Sequence, residues 1–289
     1  MDLFFINGVA LDHDSGCDSN SLNQADHGIR FNDRALQYGD GVFETMRIVQ
    51  GEIPMWEFHQ QRLQWAQQAL KLPLESFLSQ WQSFMQKHLH DVVSGCAKLV
   101  ISRGAGPRGY KIPNESRINW WLQVTDFTPR QNPQHFRLTL CQHTLSRQPA
   151  LAGLKHLNRL DQVMARSEWD DRDNFDEGIM FNLDGDVVEG TMSNIFWLCG
   201  DQLYTPDLTQ EGIDGCVRRW VIKDPCALLS TPVVIKKAAK LDELLTSDAV
   251  FLTNSLLGIK PVQTIDGHVV AQSACVEAMA MAFNDQFSR

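Results

Sequence analysis

The chain has 289 residues, enough for two domains, because a single core seldom grows beyond about 250 to 300 residues. Its hydrophobic fraction of 43% and charged fraction of 21% are those of a soluble globular protein, and no apolar run approaches the roughly 20 residues needed to span a bilayer. A formal net charge of -9 and a pI near 5.4 exclude nucleic acid and anionic membrane as expected partners, since both reward a basic face.

The N-terminus Met1 to Gly8 has no basic region and only a short apolar run. It reads as a first strand and turn rather than a signal peptide, which makes a cytoplasmic location the expectation. Asp12 to Asp26 is polar and without periodicity, as a surface loop would be. Leu63, Ala66 and Leu70, then Phe77, Trp81, Phe84, Met85 and His88, recur at helical spacing and predict two amphipathic helices. Cys96 to Ser102 and Ile118 to Thr125 read as buried strands. The two prolines in Thr128-Pro129-Arg130-Gln131-Asn132-Pro133 then mark a linker. The expected division is an N-terminal α/β domain over 1-127, a linker over 128-133 and a C-terminal domain over 134-289.

The second half is richer in hairpins. Gly178 to Leu183 and Asp186 to Glu189 flank Asp184-Gly185, a pair that tolerates the backbone of a tight turn, and Ser193 to Leu198 with Gln202 to Tyr204 repeat the pattern around Gly200-Asp201. A helix is predicted to start near Asp214, with its carboxylate capping the first amides, and to end before Pro225. Another is predicted over Cys275 to Phe283. The seven cysteines are scattered, odd in number and without a Cys-x-x-Cys pair, which argues against a disulfide framework or a zinc site.

Lys155 stands between Leu154 and Leu157, whereas most lysines of the chain lie in polar stretches. Burial disfavours an ammonium, and an amine with a lowered pKa is suited to Schiff-base and general-base chemistry. Taken alone, a side chain snorkelling from a helix end would explain it as well. An enzyme using pyridoxal phosphate needs such a lysine, a carboxylate to keep the pyridine nitrogen protonated, and donors for the phosphate. Glu189, at the end of a predicted strand, meets the second demand. Two turns of small residues, Gly212-Ile213-Asp214-Gly215 and Thr253-Asn254-Ser255, could offer amides to an anion, and Arg62 a bidentate charge.

Four segments then carry a resemblance. Asn32 to Thr45 (NDRALQYGDGVFET), His59-Gln60-Gln61-Arg62-Leu63, Lys155-His156-Leu157-Asn158-Arg159-Leu160 and Glu189-Gly190-Thr191-Met192-Ser193-Asn194 together resemble the class IV, fold-type IV pyridoxal phosphate enzymes. That family holds branched-chain and D-amino-acid aminotransferases and 4-amino-4-deoxychorismate lyases. The resemblance implies an α+β type of α/β fold, with a small N-terminal domain, a larger barrel-like C-terminal domain, pyridoxal 5'-phosphate between them, and a homodimer. It implies that Lys155 is the Schiff-base lysine, Glu189 the partner of the pyridine nitrogen, and Arg62 the phosphate arginine. Ile213, Asp214, Ser255 and Asn194 are expected near the cofactor. An acidic side chain beside a phosphate is electrostatically unfavourable, so Asp214 is expected to contribute its amide.

Within the family, Thr45, the run Ser102 to Tyr110 and the run Lys155 to Leu160 resemble the lyases. Branched-chain aminotransferases usually carry glycine where Thr45 stands, and D-amino-acid aminotransferases a histidine where Tyr110 stands. Lys155 would then move the proton, with Thr45 orienting it. A substrate with two carboxylates would need local cations, and Arg108, Arg103 and Arg47, with Arg159 as a further candidate and Tyr110 beside them, are the expected set. The glycines of 104-109 lack the spacing of a nucleotide loop. No metal is expected.

Overall fold

The computed structural model describes residues 2–11, 29–128, 135–223 and 232–287. The polar stretch Asp12 to Asp26 and nearly all of the expected linker lie outside the described residues. Two compact units are present, Met1–Thr128 with Lys155–Asn158, and Pro129–Leu154 with Arg159–Arg289.

The first unit contains β1 (Leu3–Ile6), β2 (Val9–Leu11), α1 (Arg34–Tyr38), β3 (Gly41–Val49), α2 (Trp56–Leu70), α3 (Glu75–His88), β4 (Ser94–Ser102) and β5 (Asn119–Asp126). Its sheet runs β2-β1-β5-β4-β3 and is antiparallel throughout. Cross-strand partners share a face, so register sorts the side chains. Glu44, Leu99, Leu122 and Phe5 form one row, and all four are buried. The helices cover this side, with Phe84 of α3 edge-on to Phe5 at 5.1 Å and Trp81 packed against Trp120 at 6.2 Å. Burying each such aromatic or aliphatic side chain stabilises the fold by about 1.5 to 3 kcal/mol.

The second unit contains β6 (Phe136–Thr144), α4 (Leu160–Arg166), β7 (Glu177–Phe181), β8 (Val187–Gly190), β9 (Asn194–Cys199), β10 (Gln202–Pro206), α5 (Cys216–Lys223), β11 (Val234–Lys236), α6 (Leu241–Leu245), β12 (Ala249–Asn254), β13 (Gly258–Ile265), β14 (His268–Val269) and α7 (Ala274–Phe287). They build a curled half-barrel sheet in the order β11-β10-β9-β12-β13-β6-β7-β8, with β14 on β13. Ile179, Val187, Ile195, Trp197, Val250, Leu252 and Val262 fill one core. The hairpin expected at Asp184-Gly185 joins β7 to β8, with Gly185 at φ 74° and the Asn182 side chain accepting from the amides of Asp184 and Asp186. Among the described residues no helix is long and apolar enough to cross a membrane, and none of the five cysteines there forms a disulfide.

Candidate active site

Lys155 does not stand at a helix end. Residues 155–158 run alongside the start of β3, where the Phe43 amide donates to the Lys155 carbonyl at 3.0 Å and the Leu157 amide to the Gly41 carbonyl at 3.1 Å. Gly39 makes the approach possible. It caps α1 at φ 63°, and a Cβ there would lie 2.3 Å from the Asn158 side-chain oxygen. The Lys155 ammonium sits 4.4 Å from the centre of the Phe43 ring, a cation–π distance, and the residue is half-buried.

Phe43 belongs to the β3 face opposite the helices. Its neighbours on that face are Thr45 and Arg47, and across the sheet the rows continue as Phe43-Val100-Trp121-Ile6, Thr45-Lys98-Gln123-Phe4 and Arg47-Cys96-Thr125. These rows hold two cations, Arg47 and Lys98, and no carboxylate. Arg47 is half-buried, burial pushes its guanidinium below the usual arginine range, and its Nε lacks a hydrogen-bond partner among the described residues. The chain is net acidic, but this face is locally basic. Lys98 escaped the sequence reading because only pairing with β3 sets it opposite Thr45.

On the helix-facing side of β3, Glu44 receives α2. Arg62 donates from Nε to Oε1 at 2.8 Å and from Nη2 to Oε2 at 2.5 Å, and the His59 ring nitrogen Nδ1 lies 2.7 Å from Oε2. All three residues are buried. Burial pushes the Glu44 carboxyl up, but the Arg62 charge and the hydrogen bonds from Arg62 and His59 outweigh it and hold the group at about 2. Arg62, expected to serve a phosphate, thus gives Nε and Nη2 to a protein carboxylate. Glu44 was legible only as a charged residue in a buried strand row, which needs a cation.

This triad makes acid stability testable. The folded pKa lies below the ordinary 4.5, so the stabilisation is fully present above about pH 4.5 and is lost as the pH falls toward about 2. A displacement that large is worth on the order of 3 kcal/mol. Urea unfolding should find Glu44→Gln less stable than the parent at pH 7, with the gap closing near pH 2. A gap that stays constant with pH would show that the carboxylate charge is not what matters.

In the second unit, Glu189 is the penultimate residue of β8 and is buried. Its Oε2 accepts from the Ile213 amide at 2.8 Å and from the Asn194 side-chain amide at 3.4 Å. Asn194 also donates to the Ile213 carbonyl and accepts from the Gly215 amide, so it ties the turn before α5 to Glu189. The Asp214 amide donates to the Gly153 carbonyl at 3.0 Å. The amides of residues 213 to 215 therefore hold this turn in place, which corrects the expectation that the Asp214 amide faces a phosphate. Asp214 lies two residues before the first residue of α5. Its carboxylate pairs with Arg218 at 2.7 Å and Arg219 at 3.8 Å. Ser255 is half-buried in the turn between β12 and β13. Two residues before it, Thr253 is buried in register with Asn194, and its hydroxyl lacks a partner among the described residues.

The other expected arginines separate clearly. Arg103 is buried, with Nε on Asp40 at 2.8 Å, Nη1 on the Lys71 carbonyl and Nη2 on the Leu70 carbonyl. It caps the C-terminal end of α2, which removes it from the substrate set. Arg108 and Tyr110 are exposed on the loop after β4, Tyr110 at 85%. Arg34 holds that loop through the carbonyls of Gly109, Tyr110 and Lys111, while Asp40 anchors Arg34. Arg159 lies in the field of Glu189 and Asp161, against burial that pushes its guanidinium down.

A family model for amino-transferase class IV matches residues 41–265. The chain belongs to that family. It is 32% identical to an aminodeoxychorismate lyase from Vibrio harveyi over 91% of each chain, and 30% identical to one from Bacillus subtilis over 81% of this chain and 80% of the relative. The solved structure of 4-amino-4-deoxychorismate lyase from Pseudomonas aeruginosa matches with a TM-score of 0.86 at 32% identity, covering 99% of this chain and 100% of that one.

Class IV members use pyridoxal phosphate, and the donor set fits such a group. The first unit offers a half-buried lysine amine beside an aromatic ring; the second offers a buried carboxylate held by the Ile213 and Asn194 donors and a buried hydroxyl, on the strand leading to Ser255, that lacks a partner among the described residues.

Proposed function

We propose that the chain is a pyridoxal 5'-phosphate-dependent lyase that converts 4-amino-4-deoxychorismate to 4-aminobenzoate and pyruvate. The observation that carries the reading is Lys155 over Phe43, on a sheet face that also bears Thr45, Arg47 and Lys98 and no carboxylate, in a chain so similar to lyases. When bound, the cofactor supplies an aldehyde for the substrate amine and a ring that draws electrons from the adjoining carbon. Glu189 keeps the pyridine nitrogen protonated. The Lys155 amine removes the proton from the amine-bearing ring carbon and returns it to the departing enolpyruvyl fragment, as the C–O bond breaks and the ring aromatises. The Thr45 hydroxyl orients that amine, and Arg47 with Lys98 receives substrate carboxylate, a role in which Arg108 and Tyr110 join from their loop. Arg62 and Ser255 serve the cofactor phosphate, with the turn at Ile213 and Asp214 shaping its surroundings.

A homodimer and a cytoplasmic location complete the reading. Incubation with 4-amino-4-deoxychorismate should release 4-aminobenzoate and pyruvate in equal amounts without any keto-acid acceptor. Strict dependence on such an acceptor would instead identify a D-amino-acid or branched-chain aminotransferase.

A further inference from the structure

Glu177 opens β7, is 3% exposed and has no part in the chemistry above. Its Oε1 accepts from the amides of Gly178 at 3.0 Å and Thr191 at 3.1 Å and from the Thr191 hydroxyl at 2.5 Å; its Oε2 accepts from the Met192 amide and the Ser193 hydroxyl, each at 3.1 Å. Five donors thus converge on one buried carboxylate, four of them from the turn that reverses β8 into β9. That turn begins one residue after Glu189 and ends one residue before Asn194. Gly190 allows the close fit, since a Cβ there would lie 2.3 Å from the Ser193 hydroxyl and 3.1 Å from the Glu177 side chain. Its amide closes the turn on the Ser193 carbonyl at 2.7 Å.

We infer that Glu177 is a positioning residue for the cofactor's acid partner. By gripping Thr191, Met192 and Ser193, it sets the span between Glu189 and Asn194, and with it the orientation of the Glu189 carboxylate. A cation could neutralise a buried carboxylate equally well but would not define the turn, whereas four directed donors do. The inference rests on the reading of Glu189 as the partner of the pyridine nitrogen.

Glu177→Gln keeps the volume but must set an N–H against the Met192 amide or the Thr191 amide, neither of which can accept. Thr191→Val removes one directed bond only. In the cofactor-free chain, hydrogen exchange at Thr191 and Met192 should quicken about tenfold or more in Glu177→Gln, the loss expected for one buried bond. Titrating pyridoxal phosphate into each variant should show binding weakened about tenfold or more. The pH titration of the bound chromophore should move in the same direction as in Glu189→Gln. Unchanged affinity and chromophore titration in Glu177→Gln, alongside a lower melting temperature, would overturn the inference and leave Glu177 a stabilising residue. If Glu177→Gln fails to fold, Thr191→Val decides by the same two readouts. A Glu189→Gln chromophore that titrates as the parent's does would instead overturn the cofactor reading beneath the inference.

Discussion

Lys155→Ala is expected to lower turnover of 4-amino-4-deoxychorismate by about 10³-fold or more, because one amine both anchors the cofactor and moves the proton. The parent should show a yellow chromophore that borohydride fixes to the chain, and the variant should not. Folding should survive. Residues 155–158 are held to β3 by backbone bonds that do not depend on the side chain, and the 4.4 Å contact with Phe43 is worth about 0.5 to 1 kcal/mol at a partly exposed site. Thermal unfolding should therefore place the variant near the parent. Turnover within tenfold of the parent, with the fold intact, would leave a cofactor-binding protein in which Lys155 has no chemical part.

Glu189→Gln is the second large effect. A neutral amide keeps an oxygen for the Ile213 and Asn194 donors that now meet Oε2, so the turn before α5 should persist. What disappears is the negative charge, and with it the protonated pyridine nitrogen that makes the ring an effective electron sink. Turnover should fall by about 10² to 10³-fold, the range found when one preorganised electrostatic partner is removed. Pyridoxal phosphate should still react with Lys155. The diagnostic comparison is with Glu189→Asp, which retains charge but shortens the reach. If Gln and Asp variants lose turnover equally, position governs the site; if Asp retains much more, charge does.

Several elements were legible from local pattern. The stripe Leu63, Ala66 and Leu70 belongs to α2, the run beginning at Phe77 to α3, and Asp184-Gly185 to the turn between β7 and β8, because periodicity and turn chemistry act over a few residues. Family membership was legible too, since it rests on the order of short segments along nearly the whole chain. At Asp214 the sequence pointed to nearby amides, and the structure adds Arg218 and Arg219 as partners of its carboxylate.

The arginines show where local pattern stops. Arg62, Arg103 and Arg108 all looked available for an anion. In the structure, Arg62 meets a carboxylate 18 residues away, and Arg103 meets Asp40 63 residues away and helix carbonyls more than 30 residues away. Arg108 alone of the three stays exposed. Arg47 gained in standing by the opposite route, for its Nε is shielded from water without a hydrogen-bond partner among the described residues. Glu177 drew no notice, as an acid at the start of a strand is ordinary until the returning chain brings Thr191, Met192 and Ser193 onto it.

By itself, then, the amino-acid sequence determined which chemistry-bearing groups the protein owns and to which family they belong, because residue type, spacing and segment order are properties of the chain. Only the tertiary structure decided which of those groups are already committed to one another. A charge is satisfied by whatever the fold sets within hydrogen-bond distance, and strand register, which pairs Thr45 with Lys98 and brings Glu44 to Arg62, is a property of neighbours in space.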